Sequence, residues 1–146
     1  MLFAEILIKK DFIKHKIRES RDSLLSENIS ADDKTKITKY LFELLDDYQS
    51  HLILINKINN EHIIDAAGTK VSVANAVILR DTIRIKMDVF SSYIELNMNS
   101  KTIKYDIVSI NEQRDKLMGK YLLLTSAIYC HDWGTDIISE VSEDNS

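Results

Sequence analysis

The sequence predicts an all-α protein, and three observations lead to this class. The 146-residue chain has no proline and only three glycines, although a protein built from many turns draws on both residue types. Apolar residues recur three or four positions apart over long stretches, which is the spacing of one helix face. Polar breaks separate four such stretches. We therefore predict either an antiparallel four-helix bundle or paired long, coiled-coil-like helical hairpins.

The composition limits the classes of protein to consider. The length suits one helical domain, predicted over residues 1–138, and the acidic segment 139–146 is predicted to be disordered. A formal net charge of −4 argues against a nucleic-acid binder, which carries a basic patch. A single cysteine, and lysines that follow rather than precede the N-terminal apolar run, predict a cytoplasmic protein. No run of about 18 apolar residues occurs, so no stable membrane insertion is expected.

The first two helices are predicted from the N-terminal part of the chain. Helix one runs from residue 2 to about 27, and its apolar stripe consists of Leu2, Phe3, Ile6, Leu7, Ile13, Ile17, Leu24 and Leu25. The polar break "SENISADDK" supplies the cap candidates Ser30 and Asp32. The stripe of helix two, whose spacing predicts packing against another helix, consists of Ile37, Leu41, Leu44, Tyr48, Leu52, Ile55 and Asn59.

The segment "HIIDAAGTKVSV" changes the pattern. Two short β-prone pieces, Ile63–Ile64 and Thr69–Val73, flank a turn at residues 65–68. A tiny β-hairpin near residues 63–73 is therefore predicted, with an ordered loop as the alternative.

The last two helices follow this segment. Helix three starts after the N-cap candidate Ser72, and its stripe consists of Val73, Ala76, Arg80, Ile83, Met87, Phe90 and Ile94. The alternation over residues 102–108 predicts a short strand, after which Ser109 and Glu112 form a capping box that opens helix four. Gly134 is placed to end this helix, whose stripe consists of Ile110, Arg114, Leu117, Tyr121, Leu124, Ile128 and His131.

The segment "CHDWGTD" (130–136) concentrates residue types that carry chemistry. Consecutive helical residues point about 100° apart, so Cys130, His131 and Asp132 cannot converge as a catalytic triad. We predict that His131 is a packed or capping histidine, that Trp133 anchors the helix end and that Cys130 is an inert small hydrophobe. No catalytic residue is predicted.

Metal and cofactor sites are not predicted either. The chain has no glycine-rich phosphate loop and none of its four histidines lies in a zinc-binding pair. Asp11, His15 and Glu19 share a helix face, but surface pairing is favoured for them over metal binding. The cluster around His62 has no diagnostic ligand spacing.

Polar residues within the apolar stripes are the strongest site candidates. An unpaired buried arginine is costly, and Asp81 is expected to point away from Arg80, so Arg80 needs another partner. Such residues either specify helix register and oligomeric state or form a polar pocket for a small anionic ligand. The candidate cluster comprises Asn56, Asn59, Arg80, Asp81, Arg114, His131 and Trp133.

Three segments resemble a known family. "INKINN" (55–60), "DAAGTKVSVANAVILRD" (65–81) and "IYCHDWGTDI" (128–137) are similar to a small bacterial family of uncharacterised helical proteins, some of which are labelled septicolysin. The sequence departs from the family pattern at Tyr129 and Asp132, where the family usually has glutamine and asparagine, and in the longer turn "DAAG". The resemblance singles out Asn56, Asn59, Gly68, Ala76, Arg80, Asp81 and Trp133.

The sequence thus predicts a non-enzymatic assembly or interaction protein that forms a homo-oligomer, since long apolar stripes need partners. The alternative is a small-ligand-binding protein or enzyme with a polar pocket around Asn59, Arg80 and Trp133. A membrane-active cytolysin, which the septicolysin label would imply, is disfavoured because no export signal or long apolar segment accompanies it.

Overall fold

Four α-helices and one small β-hairpin are present in residues 1–66, 68–98 and 107–137, which a computed structural model of the protein describes. The elements in chain order are α1 (Phe3–Leu24), α2 (Ala31–Glu61), β1 (Ile63–Ala66), β2 (Thr69–Ser72), α3 (Val73–Met98) and α4 (Ile107–Gly134). The predicted class, all-α with a tiny β-hairpin, is confirmed. The predicted acidic tail, 139–146, lies outside the described residues.

Two serines cap helices where the sequence predicts them. The Ser30 hydroxyl oxygen accepts a hydrogen bond from the Asp33 N–H at 3.2 Å, and the Ser72 hydroxyl accepts one from the Asn75 N–H at 3.1 Å. Each bond satisfies one of the four N–H groups that a helix start leaves without an intrahelical partner. The starts of α2 and α3 are therefore encoded locally.

Two boundary predictions are wrong. α4 already includes Ile107, so Ser109 lies in its first turn rather than at its cap. Half-buried Ile107 and Ile110 are three residues apart, so the helical burial pattern extends past the serine. Residues 107 and 108 are thus helical, while the rest of the strand predicted over 102–108 lies outside the described residues. Leu25 follows the end of α1 and is 73% exposed instead of joining its stripe.

The hairpin is antiparallel, with Ile63 opposite Ser72 and Ala66 opposite Thr69. Gly68 has a φ of +87°, a conformation that side chains disfavour, and its N–H donates to the Asp65 carboxylate at 2.8 Å. The Val73 N–H donates to the His62 carbonyl at 3.0 Å, which extends the pairing by one bond beyond the strands.

The described residues form two compact units, the first of which contains Met1–Ile58 and residues 132–137. Its apolar core brings the first turns of α1 together with the last turns of α2 and with the segment after α4, through Phe3, Ile6, Ile55, Ile58 and Ile137. Backbone hydrogen bonds join the first residues of the chain to the segment after α4. The Phe3 N–H donates to the Thr135 carbonyl at 2.9 Å, and the Ile137 N–H donates to the Met1 carbonyl at 3.1 Å.

The second unit contains Asn59–His131 and therefore the hairpin, α3 and nearly all of α4. Its core consists of Ala66, Ala76, Ile83, Met87, Leu124 and Ile128. One cleft is lined by Leu79 of α3 and Leu124 of α4, and the adjoining one by Phe90 and Gln113. Positions rise along α3 as they fall along α4, so these two helices pack antiparallel. The buried residues of α3 are those of its predicted stripe.

Candidate functional site

Arg80 forms an ion pair that the sequence analysis excluded. Its Nε donates to the Asp81 carboxylate at 3.0 Å. The expectation that Asp81 points away is wrong because the arginine side chain is long enough to bend sideways along the helix surface. With 28% of the side chain exposed, Arg80 is also not a fully buried cation. An anion-binding role for this guanidinium would have to compete with its own neighbour.

The other members of the predicted cluster are distributed over both compact units. Asn56 and Trp133 belong to the first unit, whereas Asn59, Arg114 and His131 belong to the second, together with Arg80 and Asp81. Asn59 and Arg114 are half-buried, while Trp133 keeps 44% of its surface exposed. A polar ligand pocket built from this whole set stays a prediction.

His131 contacts a second histidine that the sequence analysis did not connect to it. His131 Nε2 lies 2.9 Å from His62 Nδ1, and the rings meet edge to face with centroids 5.1 Å apart. In such a bond one ring nitrogen donates its N–H and the other ring nitrogen accepts it. His131 is thus half-buried and in contact with a second ring. Its partner was missed because 69 positions separate the two residues.

Metal sites and membrane-spanning helices were the other features considered from the sequence, and they are assessed here for residues 1–66, 68–98 and 107–137. No group of three metal-ligating side chains occurs among these residues. The His15 ring pairs with the Glu19 carboxylate at 3.1 Å on the exposed surface, as predicted for that helix face. None of the helices in this part of the chain is both long and apolar enough to span a bilayer.

The chain matches no protein-family model, no curated protein and no solved structure.

A second apolar stripe lies on α3. Ile78, Ile85, Val89 and Leu96 are 62%, 64%, 62% and 72% exposed. At 100° per residue they fall within an arc of about 40°, about 160° from the buried side of the same helix. We call them the outer stripe of α3. An exposed helix normally has one apolar face and one polar face, whereas α3 is apolar on two opposite sides.

The outer stripe has the spacing of a coiled coil. Its residues alternate four and three positions apart when Thr82 and Ser92 are included, which places Thr82, Val89 and Leu96 at a positions and Ile78, Ile85 and Ser92 at d positions. The Thr82 hydroxyl donates to the Ile78 carbonyl at 2.8 Å. That bond satisfies the hydroxyl within the helix, so threonine does not impose an unpaired polar group on an apolar contact.

The sequence contains the spacing of this outer stripe, but one apolar stripe is predicted for each helix. In α3 the dominant spacing starts at Val73 and predicts the buried side. The outer stripe has the same spacing but starts at Ile78, two residues after Ala76 of the buried stripe. It indicates an interaction surface only when the first stripe is known to be buried.

Proposed function

We propose that this protein is a self-associating helical module, acting in the cytoplasm, whose copies pair through the outer stripe of α3. One observation carries the proposal: four large aliphatic side chains lie in one line on α3 and are all more than half exposed. They extend over 19 residues, from Ile78 to Leu96, or about 27 Å of helix. A continuous apolar strip of this kind on a protein surface is typical of an interaction site.

A second copy of the same helix is the occupant that fits the stripe. The strip offers nearly three heptads of alternating a and d positions, which is self-complementary when two identical helices lie side by side. Each copy would then bury the same stripe residues of the other copy, as a two-fold symmetric interface requires.

The flanking charges favour parallel pairing of the two helices. One flank of the stripe, at the g positions, is acidic and consists of Asp81, Asp88 and Glu95. The other flank, at the e positions, contains Leu79, Lys86 and Tyr93 and has no acidic residue. In an antiparallel pair the acidic flanks would face each other and repel, whereas a parallel pair sets g against e.

Replacing one stripe residue tests the proposal. Ile85→Asp puts a charge in the centre of the stripe without touching the core, so we expect a folded protein that sediments as a monomer at micromolar concentration while the unmodified protein sediments as a dimer or larger. The matched control is Ile53→Asp on α2, because Ile53 is 63% exposed and Ile85 is 64% exposed. The control should retain the assembly.

A cross-link measures the orientation of the same pair. In a parallel pair each d residue faces its own copy, so Ser92→Cys, made together with Cys130→Ser, should form a disulfide-linked dimer under mild oxidation. The second change removes the exposed native thiol. An unmodified protein that remains monomeric at micromolar concentration contradicts self-association, as does equal loss of assembly in the control.

The two other functions predicted from the sequence have less support. A ligand site around Asn59, Arg80 and Trp133 would use a guanidinium already paired with Asp81. The cytolytic role implied by the septicolysin resemblance stays a prediction.

A further inference from the structure

The second unit contains an apolar cleft that borders the e-position flank of α3, since Leu79 and Lys86 line it. It lies between the hairpin, α3 and α4 and has a volume of about 460 Å³. Its walls are mainly apolar and include Ala66, Val71, Leu79, Ile83, Leu117 and Leu124. A second cavity of about 320 Å³ adjoins it and shares Leu117 with it. Both volumes lie in the range of small-molecule sites, roughly 300–1,000 Å³.

Three lysines line the cleft and its extension. Lys86 of α3 and Lys120 of α4 line both cavities, and Lys116 lines the smaller one. None of the three forms an ion pair with any described residue, although Glu112 lies one turn before Lys116. Lys116 and Lys120 are also one turn apart, and like charges at that spacing repel each other. A bound anion would relieve this repulsion.

We propose that the cleft binds a long-chain carboxylate, with its hydrocarbon chain against the apolar walls and its carboxylate at the three lysines. The ligand must be apolar over most of its length because the cleft walls are apolar, and anionic at one end because the charged side chains that line the two cavities are all lysines. A single acyl chain suits the cleft volume better than a two-chain phospholipid. The proposal does not depend on assembly through α3.

Binding of dodecanoate, octanoate and dodecanol to the purified full-length chain tests the proposal by calorimetry below micelle concentrations. Dodecanoate should bind with one molecule per chain. Octanoate lacks four methylenes, each contributing about 0.8 kcal/mol when buried, so it should bind roughly 200-fold more weakly. Dodecanol, which lacks the charge, should bind about 10-fold more weakly than dodecanoate.

Lysine variants separate this site from general adsorption of a surfactant. Lys116→Gln combined with Lys120→Gln should weaken dodecanoate binding about 10-fold and leave dodecanol binding unchanged. The matched control is Lys36→Gln with Lys39→Gln, two exposed lysines on α2, which should bind dodecanoate like the unmodified chain. The methyl resonances of Leu117 and Leu124 should shift on titration.

Several results would overturn the proposal. These are absence of dodecanoate binding, binding that ignores chain length, equal weakening in the α2 control, and binding to phosphatidylglycerol vesicles without binding of monomeric dodecanoate. Sedimentation of the Lys116/Lys120 variant reports separately on assembly, because neither lysine belongs to the outer stripe of α3.

Discussion

Thr125 on α4 carries a side-chain oxygen that is buried without a hydrogen-bond partner among the described residues. A buried hydroxyl in this state costs about 1–3 kcal/mol relative to one that is paired or hydrated. Valine has nearly the same shape and no hydroxyl to desolvate. The site is therefore a place where a single atom lowers the stability of the fold.

We expect Thr125→Val to raise the free energy of unfolding by about 1 kcal/mol, measured by urea denaturation. Thr125→Ser is the control, since it keeps the hydroxyl and loses the methyl group, and it should be less stable than the unmodified chain. A valine variant no more stable than the original would mean that the hydroxyl is satisfied in solution.

Single residues also show where sequence reasoning about the candidate site succeeds and where it stops. The position of His131 on an apolar stripe predicts a packed side chain, and in the structure this side chain is half-buried. The Arg80–Asp81 ion pair was missed because neighbouring helical residues diverge at Cβ, a rule that does not limit a side chain as long as arginine. His62 was missed because its contact with His131 depends on tertiary packing.

At the scale of elements, local chemistry determines most of the fold. The helix starts at Ser30 and Ser72 and the turn at Gly68 were predictable because each depends on hydrogen bonds or φ values within a few residues. The start of α4 was not, because a convincing capping box at Ser109 competes there with apolar residues on its N-terminal side. Where a capping motif and an apolar stripe predict different helix starts, as in α4, the helix begins where the buried side begins.

The cap at Ser72 is testable in isolation. Ser72→Ala removes the oxygen that accepts from the Asn75 N–H, so we expect a loss of about 1 kcal/mol in the free energy of unfolding. Ser91→Ala, at an exposed position inside the same helix, is the control and should be neutral or slightly stabilising because alanine is the better helix former. Equal losses in the two variants would show that the hydroxyl at position 72 is not a cap in solution.

At the scale of the whole molecule, the joining of the two ends of the described chain is the feature that the sequence does not reveal. Leu2 and Asp136 form an isolated antiparallel bridge, and Phe3 and Ile137 are 1% and 2% exposed. Helical spacing within α1 correctly places Phe3 on a buried side. Nothing in that spacing specifies which distant segment covers it.

Ile137 tests the importance of this junction. Ile137→Ala should lower the free energy of unfolding by about 2–4 kcal/mol, because it removes a buried side chain and leaves a cavity beside Phe3. Ile53→Ala, at a position that is 63% exposed, should change it by less than about 0.5 kcal/mol. A small effect at position 137 would mean that the segment after α4 contributes little to the core of the first unit.

The junction of the chain ends also bears on the order of folding during synthesis. The second unit is one continuous stretch, Asn59–His131, and can close as soon as its own residues have left the ribosome. The first unit contains the earliest and the latest described residues, so Phe3 and Ile6 are translated long before Ile137 exists to cover them. Contacts between segments so distant in sequence form slowly. The nascent chain therefore carries an exposed apolar helix end until residue 137 has been translated, and exposed apolar surface of this kind makes a growing chain vulnerable to aggregation.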